Sequence, residues 1–365
     1  MRRVAIAPTG AMNAIWIRKL AAVAALAPSA DNSQPWTLRW DGSELAIAFA
    51  LRHKTHNVFA ADSHATLLSV GAVVENLEAA LFANAVPANW HWASNPALGQ
   101  PYASVAVNDA SANFTSPAGP LQRHTNRLAF RPDPLSLSVI RELDHYRGSS
   151  NRATLLVDRR QKSRLIRLVR LCSEARFCHQ HLHEWLIGSL RFTPEEIARG
   201  DGLDIRTLGL PPGGKQFLRL ISDWRRLKAL NRVGAYKLLA VSEVALLGAA
   251  PALLCIVGRA DARGVIDAGR LMTRIWADLN LKGIAVHPYY VVTDQINRLG
   301  EGTVAAGFES RIAGVDEDVR RLLELQPTEI LHMILRVGYP KAEPLRSRRL
   351  PLEAVFFDSS QPQTI

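Results

Sequence analysis

Ten consecutive residues, Ala27-Pro28-Ser29-Ala30-Asp31-Asn32-Ser33-Gln34-Pro35-Trp36, stand between a helix-period segment and a strand-period segment and constrain the chain more than any other stretch. Before them, Asn13 to Ala27 carries Ile17, Leu20, Ala21, Ala24 and Ala25 at helical spacing. After them, Trp36 to Trp40 turns at Asp41-Gly42 into Glu44 to Leu51 with period-two alternation, the pattern of a hairpin. Two prolines fix the backbone of the link, Ser29, Asn32 and Gln34 offer donors and acceptors, and Trp36 anchors its end in a core. The residues leave two readings open. One is a helix-terminating turn, for which Pro, Ser, Asn and Asp are the usual material. The other is a stiff polar rim against a planar heterocycle, whose edge needs matched hydrogen bonds and flat walls.

The periodicity predicts a long helix over about Ala65 to Asn84 and strands near Ala88 to Trp92 and Tyr102 to Val107. Residues 109–120, rich in Ser, Ala, Asn and Pro, read as a linker. Beyond it come a helix at Ser136 to Tyr146, a strand at Thr154 to Val157 and a basic helix from Gln161 to about Gly188. The sequence then predicts a strand at Ala252 to Val257, a helix at Ala262 to Leu281 and strands at Ile284 to Val286 and Ile330 to Val337. Residues 191–235 hold Pro194, Gly200, Gly202, Pro211-Pro212 and Gly213-Gly214 between short helices, an irregular insertion of the size that serves as a lid or interface arm. Mixed helices and strands indicate an α+β or α/β architecture. Aligning Gly71 with Gly269 places Leu77 on Ile275, Ala79 on Ala277 and Leu81 on Leu279, an internal echo between two lobes.

Of the 365 residues 48% are hydrophobic, enough for a core, and 21% are charged. The basic start Met1-Arg2-Arg3 resembles a secretion signal, but Arg18 and Lys19 interrupt the apolar middle, so the segment reads as a helix. No run approaches the roughly 20 apolar residues that span a bilayer, and no membrane partner is expected. Cys172, Cys178 and Cys255 form no disulfide framework, which fits a reducing cytoplasm. The formal charge of +11 comes from Lys and Arg spread over several segments with no recognition motif, so nucleic acid is not expected, whereas an anionic ligand would find a favourable field.

A second motif, Gln122-Arg123-His124-Thr125-Asn126-Arg127-Leu128-Ala129-Phe130, gathers two guanidinium groups, an imidazole, a hydroxyl and an amide ahead of a helix. Such groups can surround a phosphate with charge-assisted hydrogen bonds. Arg346-Ser347-Arg348-Arg349 is a third basic cluster, by itself compatible with a solvated tail. His179 and His183, four apart, have a zinc-compatible spacing without a third ligand, and no metal is expected. No G-x-G-x-x-G or P-loop occurs.

The loop Pro28-Ser29-x-x-Asn32-x-Gln34-Pro35-Trp36, the run Arg123-His124-Thr125-Asn126-Arg127 and the terminal Ser347-Arg348-Arg349-Leu350-Pro351 are similar to the signatures of nitroreductase-family FMN proteins. The resemblance implies that Arg123, His124, Thr125, Arg127 and Arg349, with Arg348, grip the FMN phosphate end, while Pro28, Ser29, Asn32 and Gln34 face the isoalloxazine ring. It also allows His287, Pro288 or Tyr289 against the flavin, although Val286 and Tyr290 read equally as core. The loop precedes the arginine run by about ninety positions, the reverse of the usual order, and neither has a second copy. That arrangement resembles the fused single-chain, Acg-like branch. The fold it implies is α+β and nitroreductase-like, with two fused half-repeats, residues 1–115 and 116–365, forming a pseudo-dimer around one flavin, and with residues 191–235 inserted into the second. The function implied is an FMN-dependent oxidoreductase that passes electrons from a reductant, expected to be NAD(P)H, to a small planar substrate. No side chain need act as acid or base, and the chain is a monomeric pseudo-dimer or a homodimer. A flavin-sequestering protein with little turnover, or a biosynthetic flavin dehydrogenase or oxidase, is the alternative.

Overall fold

The computed structural model of the chain describes residues 9–53, 58–93, 100–108, 113–146, 148 and 150–360. Helix α1 (Thr9–Ala24) buries Trp16, Ile17, Leu20, Ala21 and Ala24 at the spacing that predicts it, and leads through the 28–35 loop into β1 (Trp36–Trp40) and β2 (Glu44–Phe49). The Asp41 carboxylate accepts from the backbone N–H groups of Ser43 and Glu44, both at 2.8 Å, and Gly42 has φ +108°, so this hairpin turn is built by a short acid and a glycine. Ser63 caps α2 (His64–Ala83), with β3 (Asn89–Trp92) and β4 (Pro101–Ala106) after it. By length and mean hydropathy α2 could cross a membrane, which the sequence reading did not anticipate, but 83% of its most apolar window is buried inside the fold. An all-round apolar helix serves here as the centre of a core.

The second part adds α3 (Ala118–Gln122), α4 (Leu137–His145) and β5 (Asn151–Leu156). The predicted basic helix is two, α5 (Arg159–Phe177) and α6 (Gln180–Ser189), because Cys178 closes the first and His179 caps the second by accepting from the Leu182 N–H. Then come β6 (Leu190–Arg191), α7 (Pro194–Ala198), β7 (Leu203–Asp204), α8 (Gly214–Leu220), α9 (Trp224–Asn231) and α10 (Ala235–Gly248). The chain continues through β8 (Ala252–Arg259), α11 (Ala262–Leu281), β9 (Ala285–Tyr289), α12 (Val291–Gly300), α13 (Glu309–Leu323), β10 (Glu329–Gly338) and β11 (Phe356–Asp358).

Two larger sheets carry these strands, in the orders β11-β1-β2-β4-β3 and β5-β8-β10-β9. Setting β5, β8, β10 and β9 on β1, β2, β4 and β3 superposes the two orders, and every neighbouring pair within the shared four is antiparallel. Each second strand is followed by a 20-residue helix, α2 in one case and α11 in the other. The second sheet differs by what is threaded between its strands. Residues 157–251 replace the Asp41–Ser43 turn, and residues 290–328 replace the link between β3 and β4. The inserted block is therefore wider than the irregular 191–235 stretch. After β10 the chain crosses back, and β11 pairs parallel to β1, Leu38 opposite Phe356. With antiparallel sheets and segregated helices the architecture is α+β.

The core between the sheets is filled by α1, α2 and α11, with Trp16, Trp36 and Trp276 among its largest fully buried side chains. Gly71 of α2 sits against Ile266 and Gly269 of α11, and Gly269 sits against Leu68 of α2. A second apolar cluster covers the far face of β8 and β10 with α5, α10, α12 and α13. Both faces of that sheet are covered, and seven of the eight residues of β8 are buried.

Candidate functional site

The 28–35 loop is held in a conformation that side chains resist. Asp31, Asn32 and Gln34 have φ of +48°, +58° and +51°, left-handed values that cost a non-glycine residue about 1–3 kcal/mol each unless the surroundings over-determine them. Here they do. Ser29 Oγ accepts from the Gln34 N–H at 2.9 Å. Asn32 Nδ2 lies 2.9 Å from the Gly202 carbonyl, 3.0 Å from that of Arg348 and 3.2 Å from that of Gly200, and its Oδ1 accepts from Arg349 Nη1. Gln34 Nε2 donates to the Gly200 carbonyl at 3.0 Å, and its Oε1 accepts from the Leu350 N–H at 3.0 Å. Two amide side chains thus lace the front loop to the β6–β7 turn and to the C-terminal crossing segment. The approach depends on Gly200, φ +79°, where a Cβ would stand 2.0 Å from the Arg349 carbonyl oxygen.

Behind this loop two cavities join. The smaller, of about 180 Å³, is walled by Arg123, His124, Thr125, Arg346, Ser347 and Arg349. The larger, of about 580 Å³, shares Thr125, Ser347 and Arg349 with it. Of the guanidinium groups around the junction, Arg346 is exposed at the rim and donates to the Leu121 carbonyl at 2.9 Å and to Gln122 Oε1 at 3.2 Å, while the others find little protein compensation. Arg123 lies 4.7 Å above the Trp276 ring, donates one N–H to the Leu26 carbonyl at 3.0 Å, and its Nε is buried without a partner. Arg349 donates to the same carbonyl at 3.4 Å. Burial pulls the pKa of Arg123 well down, and Arg349 and Arg346 repel it further; burial and then Arg127 lower that of Arg349 to about 10. Among the described residues none of Arg123, Arg127, Arg346 and Arg349 has a carboxylate within ion-pair distance; His124, in the wall of the small cavity, has the exposed Glu343 3.9 Å away. Clustered cations without counter-ions are costly unless an anion joins them.

The larger cavity is lined mainly by apolar side chains, with polar groups on both sides. Pro28, Ser29 and Asn32 come from the front loop, Leu68 and Ser69 from α2, and Met272 and Trp276 from α11. The inserted block supplies Leu182, Trp185, Leu208 and Leu218 among others. Trp185 Nε1 donates to the Asp31 carboxylate at 2.9 Å, and burial raises the pKa of that carboxyl against the pull of this bond and of Arg176 and Arg127. Burial likewise holds the His287 imidazole neutral, its pKa well below the usual value, with Arg127 and Arg336 acting in the same direction, and its Nδ1 has no partner. From the cavity wall a hydrogen-bonded chain runs inward. Tyr290 Oη is 3.2 Å from His64 Nδ1, and His64 Nε2 is 2.9 Å from His332 Nδ1. Burial lowers both imidazole pKa values, that of His332 to about 4, so the chain is uncharged at neutral pH.

Folding therefore brings Pro28, Ser29, Asn32, Thr125, Arg127 and Arg349 onto the larger cavity and Arg123, His124, Thr125 and Arg349 onto the smaller. The chain is similar to solved nitroreductases. The FMN- and NADPH-dependent nitroreductase NfnB from sphigopyxis sp. strain HMH aligns at 16% identity over 65% of this chain and 95% of its own, with a TM-score of 0.35. NfnB from Mycobacterium smegmatis, solved in complex with NADPH, aligns at 17% identity over 63% and 91%, also at 0.35. Oxidized iodotyrosine deiodinase bound to FMN and 3-iodo-L-tyrosine aligns at 14% identity over 64% and 92%, at 0.32. No protein-family model matches the chain, and neither does any curated protein.

Two residues expected at the site lie off both cavities. Gln34 is fully buried within the loop, and Arg348 is exposed, giving only its carbonyl to Asn32. Sequence reasoning did not single out Asp31, Trp276 or the Tyr290–His64–His332 chain as parts of the site, and it left Arg346 outside the expected site. Arg346 lies within a recognised basic cluster and Asp31 inside the loop, whereas His64 stands 226 positions from Tyr290 and 268 from His332 and meets them only through the packing of α2 beside β10. His183 also lines the larger cavity, whereas His179 is spent on capping α6, and among the described residues no group of three potential ligands could hold a metal.

Proposed function

We propose that the two joined cavities hold one FMN, its phosphate in the small cationic cavity and its ring system in the larger one, and that the chain is an oxidoreductase of the nitroreductase type. The observation that carries this reading is the cluster of Arg123, Arg346 and Arg349 without ion-pair partners, opening through Thr125 and Ser347 into an apolar cavity of about 580 Å³. That volume lies within the range of sites for small ligands, roughly 300–1,000 Å³. The buried, unpartnered Arg123 Nε and the Thr125 and Ser347 hydroxyls, which hydrogen-bond to no described residue, are the donors a phosphate requires.

Bound FMN would supply hydride acceptance and donation, with NAD(P)H as reductant and a small planar molecule as acceptor. The protein's part is position and charge. Arg127, buried against the cavity and held by no hydrogen bond among the described residues, would place a cation beside negative charge on the ring. His287, kept neutral, can hold a proton without adding charge. Leu182, Trp185, Leu208 and Leu218 of the inserted block add apolar wall over the site. Internal duplication belongs to the same reading: matching strand orders, the reciprocal glycine contact of α2 and α11, and β11 crossing to the front sheet are what two fused halves of a dimer would give.

The test is an anaerobic titration. Purified protein, reconstituted with FMN and desalted, should keep a flavin spectrum that bleaches on adding NADPH or NADH. Failure to retain FMN, with no thermal shift on its addition, overturns the site. Tight retention without bleaching by either nucleotide supports the sequestering alternative, which the wall added by the inserted block favours.

A further inference from the structure

The inserted residues 157–251 carry 17 Lys and Arg against nine Asp and Glu, so this quarter of the chain holds most of the net +11. The charge is concentrated further in residues 213–241, with seven basic residues and Asp223 as the sole acid. Lys215, Arg225, Arg226, Lys228, Arg232 and Lys237 are all exposed, and among the described residues none forms an ion pair. Asp223 is occupied in capping α9.

The same segment exposes large aliphatic side chains. Val233, in the turn between α9 and α10, is 84% exposed and Leu238 is 68% exposed, and Phe217, Leu220 and Val241 are exposed as well. On α10 the exposed Leu238, Val241 and Ala245 follow at i, i+3 and i+7 and so form one stripe, while Ala240, Val244 and Leu247 bury the opposite face. The helix is apolar on both sides, and only one side has a partner. Isolated exposed apolar residues need no explanation, but an exposed helix stripe within a segment so dense in cations outside any ion pair does.

We propose that α9, the α9–α10 turn and the outer face of α10 form a docking surface for an anionic lipid bilayer, the cations meeting headgroups and Val233 and Leu238 entering the interfacial layer. Both halves of the pattern are needed for such a surface, apolar teeth for the acyl boundary and Lys/Arg for the negative potential. Nucleic acid would use the cations but offers nothing to Val233, Leu238 and Val241, and base stacking calls for exposed aromatic rings rather than aliphatic ones. A second copy would bring like charge against like charge. The absence of a membrane-spanning segment from the sequence reading has no bearing on a surface that lies on lipid. Ser242 of α10, exposed next to Val241, lines the larger cavity, so the lipid-facing surface adjoins the cavity wall.

The experiment is co-sedimentation of the full chain with vesicles of phosphatidylcholine alone or of equal parts phosphatidylcholine and phosphatidylglycerol. The protein should pellet with the mixed vesicles, remain in the supernatant with neutral ones, and be released by salt. Arg225→Gln with Arg226→Gln should weaken vesicle binding about five-fold per charge. Val233→Ser with Leu238→Ser should weaken it about ten-fold or more, with unchanged circular dichroism because both side chains are exposed. Three results overturn the proposal: no pelleting above the neutral-vesicle background; serine variants that bind mixed vesicles as the parent does; or charge-dependent retention of a DNA or RNA duplex by a protein that ignores vesicles. A concentration-dependent dimer abolished by Val233→Ser with Leu238→Ser would also overturn it, assigning the surface to a second copy.

Discussion

Gly71 and Gly269 meet where α2 crosses α11, and neither leaves room for a side chain on the other: a Cβ on Gly71 would stand 2.0 Å from the Ile266 carbonyl oxygen, and one on Gly269 would stand 2.1 Å from that of Leu68. Each glycine touches the residue three positions before its counterpart, which is the reciprocity that a local two-fold axis imposes. The obstructing atoms are backbone and cannot swing aside. Gly71→Ala or Gly269→Ala should therefore lower stability by about 3 kcal/mol or more, read as a fall in the urea midpoint. Gly314→Ala, inside α13 with nothing within 4 Å of the new methyl, should raise it by about 0.5–1 kcal/mol. If Gly71→Ala behaves like Gly314→Ala, the helices do not approach this closely.

Arg349 walls both cavities and suffers from burial and from Arg127. Exchanging it for Met removes a charge from a cluster that repels itself, so the flavin-free protein should lose little stability beyond the bond to Asn32. FMN affinity should fall about ten- to hundred-fold, the worth of a charged hydrogen bond of about 1.5–3 kcal/mol. Riboflavin, which lacks the phosphate, should bind nearly as it does to the parent. Fluorescence titration of both flavins checks this, and an equal loss for the two would remove the phosphate from the small cavity.

Much of the fold is legible because hydrophobic period and burial agree. Ile17, Leu20, Ala21 and Ala24 are buried as their spacing predicts, and the Asp41-Gly42 turn links β1 to β2. The long helix at Ala262 to Leu281 was visible for the same reason. Helix α10 was not, because it is apolar on both faces and gives no period; α12 and α13, by contrast, have a helical apolar period between Pro288, Gly300, Gly307 and Pro327 and were legible in the sequence, although not singled out there. The separation of Cys178 from His179 turned on a capping imidazole, whereas from sequence the His-rich run reads only as one helix face, with no metal expected. At the site, the sequence brings out residues that are dense in one segment, as in Arg123 to Arg127. It cannot show that Tyr290, His64 and His332 form one chain, since their contact depends on how α2 packs beside β10. Nor can composition show that the basic residues concentrate on one block, because that becomes meaningful only once residues 157–251 are seen to form one insertion between paired strands.

Gln34 shows how a residue can matter to the cavity without touching it. It is fully buried, and its amide bonds reach the Asn32 and Gly200 carbonyls and the Leu350 N–H. Gln34→Leu keeps the volume but strands those groups, each at about 1–3 kcal/mol when left unsatisfied in the interior. The expected result is a loss of at least about 2 kcal/mol in urea unfolding. Amide hydrogen exchange should also accelerate at Leu350, where the C-terminal crossing segment is unlatched. Unchanged exchange there would mean that the segment is held by β11 alone.

The pH dependence of stability isolates Asp31. Burial raises its carboxyl pKa above the ordinary 3.8, more than the Trp185 bond and the charges of Arg176 and Arg127 lower it. The folded chain therefore binds this proton more tightly than the unfolded one. Its contribution is complete below pH 3.8 and is lost as pH rises through the folded-state value. Asp31→Asn cannot ionise and keeps an oxygen for Trp185 Nε1. In flavin-free protein its stability relative to the parent should rise with pH, be smallest below 3.8, and level off once the parent's carboxyl has ionised. His64 and His332, whose lowered pKa values make the folded state resist protonation as pH falls below 6.5, act alike in both proteins and cancel in the difference. Urea midpoints across the acid range supply the comparison. A gain that is flat from acid to neutral pH would show that Asp31 titrates normally and that the polar wall beside the front loop is better solvated than its burial implies.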